Sequence, residues 1–362
     1  MNQVLTVSYE GKPIYDIRIE DNFDNIYHIL DTLQLTNRKV CIVSDSNVSK
    51  YYLDQVSNYV KDSAGSVDNY VFSAGEENKT LDTVRELYKH LILCGYERKD
   101  ILIALGGGVV GDLTGYAAAT YLRGISFVQV PTSLLSMVDS SIGGKTGVDF
   151  DSYKNMVGAF HQPKGVYINL GALTTLSDEL YNSGMGEIIK HGLIKDKEYY
   201  EWLKMNMIPI MNRDLPTLKE MIYRSCVIKK NVVENDFKES GERALLNFGH
   251  TIGHSVEKLM NFNLLHGECV AIGIVAASYI SYLRNHITEL ELEDIKKTIN
   301  GFQLPTTITG ITKEDILEVS KSDKKMSAGK IKFVLLNELG KAVIDSSVTD
   351  EEILSAIDYI TC

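Results

Sequence analysis

The chain has 362 residues, 44% of them hydrophobic, more than a single core usually serves, so a folded protein of two domains is expected. A formal net charge of -11 without clustered Lys and Arg excludes a nucleic-acid surface, while a small anion can still be held by a few converging cations. Five scattered cysteines (Cys41, Cys94, Cys226, Cys269, Cys362) and a start, "MNQVLTVSYE", lacking a basic-then-apolar leader point to a reducing cytoplasm and away from a membrane.

From Lys39 to about Asn169 short β-rich runs ("KVCIVSD", "SVDNYVF", "DILIALGGG", "ISFVQVPT", "GVYINL") alternate with stretches of helical spacing, which predicts a parallel sheet covered by helices. Asp45, after the first run, stands where an acid takes ribose hydroxyls, and equally where one caps the next helix. The run ending in Gly106, Gly107 and Gly108 leads into a helix with Gly111 and Asp112 in its first turns. Such glycines let backbone approach a phosphate at a helix N-terminus, although the order departs from G-x-G-x-x-G and lacks a Walker ending. Arg123 ends that helix. The stretch "VPTSLLSMVDSSIGGKTGVD" is too rich in Ser, Thr and Gly for a core helix and reads as ligand contact, with Asp139, Lys145, Lys154 and Asn155 supplying charge and amide donors.

Past Gly171 helical spacing takes over, so the domains are placed at 1-172, α/β, and 173-362, helical, with a short hairpin at "KIKFVLLNELGKAVI" and a substrate site in the crevice between the halves. The uncharged run Cys269 to Leu283 is shorter than the roughly 20 residues of a membrane helix and reads as a buried helix. In "LNFGHTIGHSVEK", His250 and His254 share one helix face. Thr251 follows the first histidine where the peptidase pattern needs Glu. Glu187 and Lys190 in "GMGEIIKHG" and His266 in "LLHGE" supply a carboxylate, a cation and a third imidazole. Two imidazoles and a carboxylate make a catalytic zinc set with open positions, and His191 and Glu268 are rival ligands that spacing does not exclude.

Taken together, "GGGVVGDLTGYAAATYLRG", "VPTSLLSMVDSSIGGKTGVD", "KNMVGAF", "GMGEIIKHG", "LNFGHTIGH" and "HGE" resemble the 3-dehydroquinate synthase family over nearly the whole chain. The resemblance implies a Rossmann-like N-terminal domain, a helical C-terminal domain, and zinc or cobalt on Glu187, His250 and His266, with His254 facing the substrate. It implies NAD contacts at Asp45, Gly75, Glu76, Lys79, Gly107, Gly108, Val109, Val110, Gly111, Asp112, Thr132, Ser133, Lys145, Lys154, Leu173, Thr174 and Thr175. Substrate contacts are implied at Asp139, Lys145, Asn155, Lys190, Lys229, Arg243, Asn247, His254 and one lysine of the pair Lys324 and Lys325. Arg123 would reach a neighbouring subunit's phosphate site, implying a homodimer. The implied reaction converts 3-deoxy-D-arabino-heptulosonate 7-phosphate, a small anionic sugar phosphate, into 3-dehydroquinate and phosphate by transient NAD oxidation, phosphate elimination, re-reduction and aldol closure. The loop "GVDFDSYKN", with Asp149 and Asp151, departs from the family pattern.

Overall fold

A computed structural model describes residues 3–151, 153–239, 241–261, 263–322 and 332–361. Lys324 and Lys325 lie outside these residues. The chain divides into two compact units, Met1–Leu176 with Lys229–Lys238, and Ser177–Ile228 with Glu239–Cys362.

The first unit is built on a seven-stranded sheet. Its strands are β1 (Gln3–Tyr9), β2 (Lys12–Glu20), β3 (Lys39–Asp45), β4 (Ser66–Phe72), β5 (Ile101–Gly106), β6 (Ser126–Pro131) and, after a separate hairpin of β7 (Lys145–Phe150) and β8 (Tyr153–Phe160), β9 (Val166–Asn169). The order is β1-β2-β9-β6-β5-β3-β4, parallel except for β1. The five expected runs form the five strands β3, β4, β5, β6 and β9. Alternate residues feed two cores: Cys41 and Val43 pack with Leu87 and Leu113 on one face, and Val40 and Ile42 with Val56 and Val60 on the other. Burial on both faces explains why β3, β5, β6 and β9 are apolar almost throughout, while β4, at the sheet edge, is only partly buried.

The β1-β2 pair was not among the predicted elements, although both strands alternate in burial. From β3 the chain moves outward to β4 and then crosses back to β5 on the other side of β3. The switch point therefore lies between the carboxyl ends of β3 and β5, where Asp45 and Gly106 stand, and doubly wound sheets bind ligands at such places.

The second unit is helical apart from the hairpin of β10 (Phe333–Glu338) and β11 (Lys341–Asp345), as expected. The expected boundary at residue 172 places all later residues in the helical half. The structure instead returns Lys229–Lys238, the end of the Leu215–Asn235 helix and the residues after it, to the first unit. There Ser8 donates its backbone N–H to Glu234 at 2.6 Å, Tyr9 packs on Phe237, and Lys229 pairs with Asp139. These contacts are long-range in sequence, which is why a change of periodicity near residue 172 gave no sign of them. The one helix of the described residues long and apolar enough to cross a membrane, His266–Leu283, is a core helix of this unit.

Candidate functional site

Three helices of the second unit, Asp178–Lys195, His250–Leu259 and His266–Leu283, meet backbone against backbone at glycines. A Cβ on Gly267 would lie 1.7 Å from the Ser183 carbonyl oxygen, one on Gly186 would lie 2.6 Å from that of Gly267, and one on Gly253 2.7 Å from that of Cys269. Each metal candidate is a neighbour of one of these glycines or of Gly249, which holds φ +80° at the start of the His250 helix. The close approach carries Glu187, His250 and His266 into one place.

Glu187 is 1% exposed, and its Oε2 accepts from the equally buried Lys190 ammonium. Among the described residues its Oε1 has no hydrogen-bond partner, yet it stands 3.7 Å from Nε2 of His250 and 3.7 Å from Nε2 of His266. Those separations are too long for hydrogen bonds and close to the ~3.4 Å between ligand atoms that each lie ~2.1 Å from a tetrahedral metal. The orphaned oxygen and two converging nitrogens fit a divalent cation. Nδ1 of His250 lies 3.2 Å from the Phe248 carbonyl oxygen, and Nδ1 of His266 lies 3.5 Å from Oε1 of buried Glu257.

His254 joins the same group: His250, His254 and His266 each offer an atom within 4.8 Å of the others. Sequence spacing gave the His250–His254 pair, and the structure adds His266 at ring distances of 5.4 and 5.8 Å. The rivals separate. Glu268 turns back on its own helix, accepting from the Leu265 N–H at 2.7 Å. His191 is fully buried and brings a nitrogen within 4.8 Å of the Glu187 carboxylate, but stands outside the three-histidine group. Glu257 was missed; its signal is its place seven residues after His250, two helical turns along the same face.

The electrostatics match this geometry. Burial opposes the ionised form of Glu187, but Lys190 and the two imidazoles overcome it and hold the carboxyl well below its ordinary range. Burial, helped by Lys190, keeps His250 neutral by pushing it well below the ordinary value. For His266 burial is outweighed by the carboxylates of Glu187 and Glu257, and the imidazole is raised to about 9.

Arg243 is 1% exposed within the 3-10 turn Glu242–Asn247, and Asn247 donates to Glu239 at 3.2 Å.

In the first unit several of the residues expected to contact NAD stand beside the switch point. Gly107 caps the Gly108–Thr120 helix without a side chain, leaving the N–H groups of Gly108, Val109 and Val110 at its open end. Gly111 has another task, since a Cβ there would meet the Gln129 amide at 2.7 Å. Thr132 donates to the Gly106 carbonyl at 3.0 Å, which sets Thr132 and Ser133 beside the glycine turn. Asp45 Oδ1 accepts from the N–H groups of Asn47 and Val48 at 2.8 and 2.9 Å, so it does cap the following turn. In the 3-10 turn Leu170–Thr174 that carries Leu173, Thr174 donates to the Gly171 carbonyl, and beyond it Thr175 bonds the Tyr52 hydroxyl at 2.5 Å.

Buried Lys79 is the hub of a polar network. Its ammonium donates to Asp112 at 2.7 Å and Asn155 at 2.6 Å, and lies 3.9 Å from Glu76, which also pairs with Lys154 at 3.5 Å. Glu76 follows Gly75, whose φ of +120° only glycine adopts readily. Burial opposes the charge of Lys79, yet Asp112 and Glu76 raise its pKa, while burial raises that of Asp112 despite Lys79. The unusual loop belongs to this network. Asp149 donates its N–H to the Lys79 carbonyl at 2.8 Å and accepts from the Asn155 N–H at 2.8 Å, holding Asn155 at φ +53° with its amide oxygen on Lys79. Asn155, expected at the substrate, thus bonds within the expected NAD set, and Lys229 and Asp139, both expected at the substrate, pair with each other. Lys145 opens β7 and is exposed. Leu122 and Arg123 carry φ of +50° and +67°, a strained pair of non-glycine residues after the glycine-loop helix.

A doubly wound sheet followed by a helical unit is the fold of the sugar-phosphate cyclases. The structure of 2-epi-5-epi-valiolone synthase from Streptomyces hygroscopicus subsp. jinggangensis, solved with NAD+ and Zn2+ bound, superposes with a TM-score of 0.88 at 28% identity, covering 98% of this chain and 99% of that one. Models of the 3-dehydroquinate synthase N-terminal and C-terminal regions match residues 69–183 and 184–326. The 3-dehydroquinate synthases of Acetivibrio thermocellus and Ruminiclostridium cellulolyticum are 44% and 42% identical, each over 95% of this chain and 95% of the relative. The chain belongs to the 3-dehydroquinate synthase family.

Proposed function

We propose that the protein converts 3-deoxy-D-arabino-heptulosonate 7-phosphate into 3-dehydroquinate and phosphate, with NAD and a divalent metal as cofactors. The observation that carries this reading is the 44% identity to a 3-dehydroquinate synthase over 95% of both chains.

Glu187, His250 and His266 would hold the metal, zinc or cobalt, since both accept nitrogen and oxygen ligands. When bound, it supplies Lewis acidity to substrate hydroxyl oxygens. The glycine turn, Asp45 and the Lys79 network would hold NAD, which supplies reversible hydride acceptance and so leaves no net redox change. The chain's own groups then position the substrate. Lys145, Asn155, Asn247 and Arg123 take the phosphate, and Lys229 with Arg243 the carboxylate, for which the planar guanidinium suits bidentate contact. Asp139 and Lys190 contact the substrate, with Lys190 also neutralising Glu187. Lys229 must exchange Asp139 for the incoming carboxylate. His254, exposed at the edge of the cluster, moves a proton at the reacting carbon or at the leaving phosphate.

We propose also a homodimer in which Arg123, presented by the strained turn at residues 122 and 123, reaches the partner's phosphate site, and a cytoplasmic location, which the thiols of Cys41, Cys94, Cys226 and Cys269 support.

The test is phosphate release from 3-deoxy-D-arabino-heptulosonate 7-phosphate with substoichiometric NAD while NADH absorbance is followed. Many phosphates per NAD with no net NADH is the expected result. No phosphate from metal-loaded protein would refute the assignment in favour of a cyclase acting on another sugar phosphate, and NADH accumulating with glycerol-like substrates would favour a polyol dehydrogenase.

A further inference from the structure

We infer that Glu257 is a positioning residue for His266, fixing which ring nitrogen that histidine turns toward the metal; the inference rests on the metal reading above. Glu257 belongs to the His250–Leu259 helix, seven residues after His250, and is 3% exposed. Burying a carboxylate is costly unless a specific partner repays it. Its Oε1 lies 3.5 Å from Nδ1 of His266, while Nε2, at the opposite edge of the same ring, lies 3.7 Å from Oε1 of Glu187.

His250 shows the same arrangement with a different acceptor. Its Nδ1 lies 3.2 Å from the Phe248 carbonyl oxygen, and its Nε2 lies 3.7 Å from the same Glu187 oxygen. Each ring therefore has an acceptor behind Nδ1 and the shared carboxylate oxygen before Nε2. An acceptor behind Nδ1 requires the proton there and leaves the lone pair on Nε2, the form a metal needs. For His250 the backbone provides that acceptor. His266 is the first residue of its helix, and the side chain of Glu257, reaching across from the neighbouring helix, takes that part. A carboxylate also polarises the imidazole more than a carbonyl does, making His266 the stronger donor of the two.

The test is titration of the metal-free full-length protein with Co2+, read from the visible absorption bands, in wild type, Glu257→Ala and Glu257→Gln, with thermal unfolding of the metal-free forms. Loss of the acceptor in Glu257→Ala should weaken Co2+ binding about 10- to 100-fold and shift the bands, with a smaller effect, within about tenfold, for Glu257→Gln, which keeps an oxygen acceptor. Native affinity and bands in Glu257→Ala would overturn the inference. So would equal losses in the two variants, or losses that only track a fall in the unfolding temperature of the metal-free protein. Wild-type protein that binds no Co2+ would overturn the metal reading itself and this inference with it, which separates the two failures.

Discussion

Replacing Gly267 by Ala tests whether helix packing at glycine is what assembles the metal site. The new Cβ would lie 1.7 Å from the Ser183 carbonyl oxygen, whereas ordinary contact begins at 3.4 Å, so the start of the His266 helix must withdraw by about 1.7 Å. Metal–ligand distances tolerate only ~0.2 Å. His266, adjacent to the substituted residue, would leave the shared position before Glu187, and the Gly267 N–H bond to the Ser183 hydroxyl, 3.0 Å in the native protein, would be strained as well. Overpacking of this kind costs about 1–3 kcal/mol, which a protein of this size survives. The expected result is a folded protein, by circular dichroism, whose Co2+ or Zn2+ affinity in competition with a chelating dye falls at least about 100-fold. Gly253→Ala serves as the graded control. There the approach is 2.7 Å, the required withdrawal about 0.7 Å, and the metal loss correspondingly smaller. Native affinity in Gly267→Ala would refute the claim that backbone contact sets the ligand geometry.

His250→Ala should lose metal and activity together, whereas His254→Ala should keep the metal and turn over slowly; equal metal loss in both, measured by elemental analysis, would refute their division of roles. Lys79→Met leaves the Asp112 carboxylate buried without its ammonium, so stability should fall by about 3–5 kcal/mol in denaturant unfolding and NAD affinity should fall with it. Asp149→Ala frees Asn155 from its positive-φ conformation, and NAD titration should show weaker binding with the metal site unaffected. Metal affinity should rise with pH, because the metal requires neutral imidazole and His266, raised to about 9, still carries a proton below that value. The slope should approach tenfold per pH unit between pH 7 and 8.5 and flatten above about 9, since His250, held well below its ordinary value, is already neutral. Constant affinity over that range would contradict the assigned protonation.

The chemistry of the site was more legible than its assembly. Strands β3, β5, β6 and β9 announce themselves because sheets covered on both faces demand apolar runs, β4 by its β-branched and aromatic residues, and the glycine turn because a strand and a helix flank it. Glu187, His250 and His266 stand out as polar residues in apolar, glycine-rich surroundings, but their convergence depends on three helices touching at Gly186, Gly253 and Gly267, a fact of packing with no local period. Glu257 looks like a surface acid until its helix is docked. Asp149 likewise looks like a departure from pattern until hairpin pairing brings it to Asn155 and Lys79. The β1-β2 pair shows the reverse case, a strand alternation written in the sequence at Tyr15, Ile17 and Ile19.

The return of Lys229–Lys238 to the sheet-bearing unit has a consequence for how the protein is made. A nascent chain released as far as Leu176 already contains every strand of the sheet, yet Asp139 has no Lys229, and the carboxyl end of β1 has neither Glu234 nor Phe237. Domains commonly fold one after another as they leave the ribosome, but here the first cannot finish until residue 238 has emerged, by which time the opening helices of the second are already outside. Synthesis therefore imposes an interval in which Ser8 and Tyr9 at the end of β1 wait for their partners, and separate expression of residues 1–176 should yield a fragment less stable than the same unit within the whole chain.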